Sequence, residues 1–135
     1  MPILQLDSIC KHYRAPEGTV KAVDGVSLTL EPGDFAALHG PSGCGKSTLL
    51  LMAGGLLSPD AGTILIGDEN PYALGADARA GFRAERVGFV FQQFHLIPFL
   101  DVLDNVLVGE LAGGGDRRER ARELLEMVQM SHRLH

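Results

Sequence analysis

The sequence has only two cysteines, Cys10 and Cys44, and three lysines among its 135 residues. Two cysteines so far apart form neither a CxxC metal clip nor a disulfide framework, and reduced thiols are expected. The five histidines, His12, His39, His95, His132 and His135, lack metal-ligand spacing, so a metal is expected only in company with a nucleotide. Long apolar runs are missing too. The longest, Leu49 to Leu57, is broken by Gly54 and Gly55 and is far short of the roughly 18 residues that a membrane span needs. The start, MPILQLDSICKHY, has no basic cluster followed by an apolar run, so no secretory signal is read and the expected compartment is the cytoplasm. Excess positive charge is absent, since the net charge is -5, and nucleic acid is not an expected partner. Internal repeats are also absent.

What is present suits one soluble domain: 45% hydrophobic and 21% charged residues, enough to bury a core if every element is supplied. Ile3 to Tyr13 alternates loosely, and Val26, Leu28 and Leu30 alternate before the Pro32-Gly33 turn, which predicts an antiparallel pair. Phe35 to Leu38 is a short continuous apolar run, the pattern of a strand buried on both faces of a parallel sheet. Leu49, Leu50, Ala53, Leu56 and Leu57 recur at helical spacing, with Ser58-Pro59 as the expected stop. Thr63 to Ile66 and Val87 to Phe91 read as further strands, with a weak helix over Ala76 to Arg86 between them. Later, Asp101 is placed to cap a helix with Asp104 three residues on. Gly113 to Gly115 read as a joint, and Asp116 as the cap of a helix whose stripe is Ala121, Leu124, Leu125 and Val128.

Between the apolar run and the first helix stands GPSGCGKST, which fits G-x-x-x-x-G-K-[ST] through Gly40, Gly45, Lys46 and Ser47. Glycines there let successive backbone N–H groups turn inward on a phosphate, and the following helix adds its N-terminal dipole. Lys46 supplies a flexible cationic head for the β- and γ-phosphates, Ser47 a hydroxyl for Mg²⁺, and Thr48 a further contact at the helix end. At Cys44 the backbone rather than the thiol is expected to matter, and His39 reads as structural. A phosphate loop is common to kinases, GTPases and ATP motors. No N-K-x-D guanine motif occurs. A kinase lid drawn from Arg117, Arg118, Arg120 and Arg122 remains open, although a solvated helix flank also explains them.

GPSGCGKSTLLLMAGGLLSPDAGTILIGD followed by RVGFVFQQFHLIPFLDVLDNV resembles the nucleotide-binding domain of ABC transporters, in particular ATPase subunits of lipoprotein-releasing and macrolide-exporter type. The resemblance covers nearly all of the chain. It implies an α/β P-loop NTPase with a RecA-like core, an antiparallel β-subdomain and the start of a helical subdomain, divided as 1–91, a Q-loop at 92–99, and 100–135. By the same resemblance ATP lies against the loop backbone of Gly40, Ser42, Gly43, Cys44 and Gly45, with Lys46, Ser47 and Thr48. Gln92 matches the Q-loop glutamine that contacts Mg²⁺ or the attacking water, which makes Ser47 and Gln92 the implied metal residues; Gln93 is the candidate one register away. Tyr13 matches the aromatic that stacks on adenine, although a tyrosine filling a strand also explains it. Leu96 to Val106 resembles the region that receives a membrane permease, with Ile97, Phe99 and Leu100 serving contact or core.

The resemblance also implies a second ATPase subunit and a position at the inner face of the membrane. It further calls for a signature of LSGGQ type, a strand of aliphatic residues ending in Asp-Glu, and a switch histidine. The sequence has no S-G-G-Q and no such aliphatic run. The expectation is therefore a fragment of a complete subunit, unstable and prone to aggregate, that binds ATP without efficient hydrolysis. A non-hydrolysing nucleotide-binding module is the alternative.

Overall fold

The computed structural model describes residues 1–108 and 117–133. β1 (Leu4–Ala15) and β2 (Gly18–Leu30) form an antiparallel pair in which Leu4 faces Leu30 and Ala15 faces Gly18. β3 (Ala61–Ile66) pairs antiparallel with the other edge of β1, which gives the order β2-β1-β3. Simple alternation fails on β1, because Leu6 and Ile9 are both buried although three residues apart. Ser8, at φ 50°, lies in the register shift between them, and such a bulge returns Ile9 to the inward face. Asp60 then clasps the sheet, its carboxylate accepting from Lys11 Nζ and from the His12 amide at 2.7 Å each.

α1 (Lys46–Ala53) lies against all three strands and buries Met52 completely. It ends earlier than Ser58-Pro59 suggested. Gly55 takes φ 77°, and the Leu56 amide donates back to the Leu51 carbonyl at 2.9 Å, a glycine-terminated helix end that closes before proline is reached. A 3₁₀ turn at Pro71–Ala73 is fixed to this end by the Tyr72 hydroxyl, which donates to the Met52 carbonyl at 2.6 Å. α2 (Ala76–Arg86) follows over the expected residues and buries Phe82.

Two expected strands are not formed. Phe35 to Leu38 is irregular, with the Phe35 ring 97% exposed, and Val87 to Phe91 is irregular with Val90 fully exposed. The physical reason is lateral: a doubly buried strand needs a ladder along its edges, and among the described residues the only sheet is β2-β1-β3. An apolar run without such neighbours has nothing to bond or bury against.

The chain divides into two compact units, Met1–Arg83 and a second starting at Ala84. In the second, α3 (Val102–Leu107) has Asp101 as its cap, the carboxylate accepting from the Asp104 amide at 2.7 Å. α4 (Arg118–Met127) packs on it through Leu103, Ala121 and Leu125. Of the expected stripe, Ala121 and Leu125 turn inward, whereas Leu124 and Val128 are exposed. The Gly113 to Gly115 joint and the Asp116 cap lie outside the described residues. Among those residues no helix is long and apolar enough to cross a membrane.

Candidate functional site

The glycine loop leads from Gly40 into α1, and its conformation requires its glycines. Gly40, Gly43 and Gly45 have φ of 157°, 80° and 93°. Gly45 is also pressed against β2, so that a Cβ there would overlap the Ala22 carbonyl oxygen; a Cβ on Gly40 would stand 2.7 Å from Cys44 Sγ. No side chain caps α1, which leaves its first-turn amides to an incoming anion. Lys46 folds back over the loop, its ammonium donating to the carbonyls of Gly40 at 2.9 Å and Pro41 at 2.7 Å. The Cys44 amide makes a long bond of 3.4 Å to the Pro41 carbonyl. Its thiol is exposed and lies 3.5 Å from Lys46 Nζ. Ser42 and Ser47 are exposed, and Thr48 is half-buried.

These features fit a polyphosphate with Mg²⁺: a nest of positive-φ glycines, uncapped helical amides, one ammonium and one free-standing hydroxyl. An open groove of about 350 Å³ runs beside the loop, lined by Cys44, Gly45 and Lys46 on one side and by Lys21 to Asp24 on the other. The β2 wall was not legible in the sequence. It depends on bulges in β2 that no local motif announces. Asp24 is held below the ordinary carboxylate range by the hydrogen bond from Lys21 and then by His12, and Lys21 is raised in return by Asp24.

Tyr13 sits on β1 opposite Val20, with its ring 42% exposed and the Lys11 ammonium 5.9 Å from its centre. It does not line the loop groove. In the second unit, Gln92 and Gln93 form an exposed bend after Phe89 and Phe91, whose rings stack 5.3 Å apart. His95, at φ 50°, meets Phe91 edge-on at 5.2 Å. The second unit also carries an apolar groove of about 430 Å³ lined by Leu96, Ile97, Leu100, Val102, Val106 and Met130. Ile97 and Leu100 belong to it, whereas the Phe99 ring is 86% exposed. Asn105 was overlooked as a structural residue. Its Oδ1 accepts from the Ile97 amide at 2.7 Å and its Nδ2 donates to the carbonyls of Ile97, Leu100 and Asp101, which fixes the segment along that groove.

Residues 23–135 match the ABC transporter family model. The chain is 42% identical over 134 residues to the lipoprotein-releasing system ATP-binding protein LolD 1 of Rhodopirellula baltica, covering 97% of this chain and 58% of that protein. It is 44% identical to the macrolide export ATP-binding/permease protein MacB of Chlorobium luteolum, over 98% of this chain and 20% of that protein. A solved dimeric ATP-binding cassette, MJ0796 in a post-hydrolysis state with ADP and Pi, superposes with a TM-score of 0.87 at 36% identity, over 97% of this chain and 59% of that one. The P-loop NTPase fold that the resemblance implied is thus shown, and the chain spans less than two thirds of the length of each of these proteins.

Proposed function

This chain belongs to the ABC transporter family, and from that membership we propose that it is the ATP-holding part of a transport ATPase subunit. The observation that carries the reading is the glycine loop, with three positive-φ glycines, an uncapped α1 and Lys46 drawn over its mouth. The amides of Ser42, Gly43, Cys44 and Gly45 and of the first turn of α1 hold the phosphates, Lys46 neutralises the β- and γ-oxygens, and Ser47 offers its hydroxyl to Mg²⁺. Mg²⁺ bound there would stabilise the negative charge on the phosphates. Tyr13 stacks on the adenine, and Gln92 reaches the metal or the water.

The 135 residues contain neither an S-G-G-Q nor an aliphatic run ending in Asp-Glu, and so supply, beside Gln92, no carboxylate of the expected kind to act as general base on the attacking water. These residues hold MgATP and turn it over slowly. In its working setting the subunit lies at the cytoplasmic face of the membrane, pairs with a second ATPase subunit and meets a permease through the apolar groove of the second unit. The process it drives follows its relatives: lipoprotein release or export.

The test is a calorimetric titration of the 135-residue chain with MgATP, alongside Lys46→Ala. Loss of the ammonium should weaken binding by about tenfold or more, the cost of removing a charge-assisted phosphate contact of about 1.5–3 kcal/mol. Undiminished binding in Lys46→Ala would overturn the loop assignment, and rapid hydrolysis by the wild-type chain would overturn the slow turnover.

A further inference from the structure

Cys10 and His12 stand two residues apart on β1, and Asp24 stands across from them on β2. The Cys10 sulfur, a His12 ring nitrogen and an Asp24 carboxylate oxygen all lie within 4.8 Å of one another. We propose that these three side chains form a binding site for a zinc-class divalent cation, separate from the Mg²⁺ that accompanies a nucleotide.

The backbone arranges this meeting. Between Ile9 and Lys11 on β1 the paired positions on β2 advance from Val26 to Val23, and between Lys11 and His12 they advance from Val23 to Lys21. β2 therefore carries extra residues on either side of Val23, and Gly25 turns one bulge with φ 67°. Asp24 is left out of the ladder and its carboxylate lies beside His12. The His12 backbone is itself pinned by the Asp60 carboxylate, and the Gly25 amide donates to Cys10 Sγ at 3.2 Å. That hydrogen bond orients the Cys10 sulfur.

The His12–Asp24 edge suits a four-coordinate ion. His12 Nε2 and Asp24 Oδ1 are 3.3 Å apart, which is close to the edge of a tetrahedron with metal–ligand bonds of about 2.0–2.1 Å. One sulfur, one imidazole and one carboxylate leave a fourth position for water. A thiolate in the set disfavours Mg²⁺ and Ca²⁺, which take oxygen ligands, and favours Zn²⁺. On coordination the Cys10 S–H bond breaks, its proton passes to solvent and the sulfur pair goes to the metal. The thiolate and the carboxylate together then balance the two positive charges.

Two charged groups lie against this cluster, Lys21 on Asp24 and Asp60 on the His12 amide. The Lys21 ammonium donates to Asp24 Oδ2 at 2.9 Å, on the carboxylate oxygen that does not face His12. It orients the carboxylate but repels an incoming cation. The sequence signal that would have found the site is C-x-H on one strand, since alternate residues share a face, rather than the CxxC that a metal search favours.

The experiment uses the 135-residue chain with Cys44→Ser as background, so that Cys10 is the remaining thiol, and titrates Zn²⁺ alone against a competing chelator without nucleotide. One equivalent should bind with release of a proton, and Co²⁺ in its place should show a sulfur-to-cobalt charge-transfer band. Cys10→Ser should abolish that band. His12→Gln and Asp24→Asn, both at accessible positions, should each weaken Zn²⁺ about tenfold or more with unchanged circular dichroism, whereas Lys21→Gln should tighten it. Equal Zn²⁺ affinity in Cys10→Ser, loss of binding on Cys44→Ser alone, or weakening by His39→Gln matching that of His12→Gln would overturn the proposal.

Discussion

Gly45 and Gly62 show how one residue type carries two different duties. Both have positive φ, 93° and 87°, and both are packed against backbone, Gly45 against Ala22 and Gly62 against Asp7, Ser8 and Ile9. A side chain at either costs at least about 1–2 kcal/mol for the left-handed backbone alone, before any overlap is relieved. Their functional consequences should part. Gly45→Ala is expected to lower the urea midpoint and also abolish MgATP binding, because the displaced loop loses its nest. Gly62→Ala should lower the midpoint alike while the molecules still folded bind MgATP normally; paired denaturation and titration distinguish them. Tyr72 gives a second prediction. Burial raises its pKa to about 12, and its hydroxyl donates to the Met52 carbonyl. The folded state thus favours the protonated phenol, so its contribution is complete below about pH 10, the ordinary tyrosine value, and is lost as pH rises through the folded value. Wild type should lose stability between those limits relative to Tyr72→Phe, measured by urea unfolding at stepped alkaline pH.

Among the elements, those whose signals are local were legible and those that depend on neighbours were not. Asp101 and Asp104 announce α3 because the cap and the amide that it satisfies lie within one turn. Asp101→Ala should cost about 1 kcal/mol, and Asp101→Ser should restore most of it, as read from thermal unfolding of the two variants. The phosphate loop was equally plain, since Gly40, Gly45, Lys46 and Ser47 form one contiguous pattern. Phe35 to Leu38 failed because its apolar run specifies burial without supplying the strands that would bury it. The β2 wall and the Cys10–His12–Asp24 cluster were hidden for a related reason. They exist only because two bulges shift a register, and register is a property of a pair of strands. Helix α1 stopped short because Gly54-Gly55 offered a backbone cap before Pro59 could exclude the helix.

For the molecule as a whole, stability should be distributed unevenly. The first unit has a hydrogen-bonded sheet with Leu6, Ile9, Val23, Ile64 and Ile66 buried, and the second has the smaller Leu103, Ala121 and Leu125 cluster. Between β2 and α1 the backbone over Phe35 to Leu38 belongs to no ladder, and the Phe35, Val90, Phe94 and Phe99 side chains stand in solvent. Exposed apolar surface of this kind promotes association, so concentration-dependent self-association is expected in light scattering. Hydrogen exchange should rank the segments: amides of β1 slowest, those of the Leu103 cluster next, and those of Phe35 to Leu38 fastest. MgATP should then slow exchange chiefly across Ser42 to Thr48, because the phosphates bond those amides and the loop tightens on α1. If Phe35 to Leu38 were instead protected like β1 before nucleotide is added, the segment would be a strand with partners after all, and the irregular backbone assigned to it would be wrong.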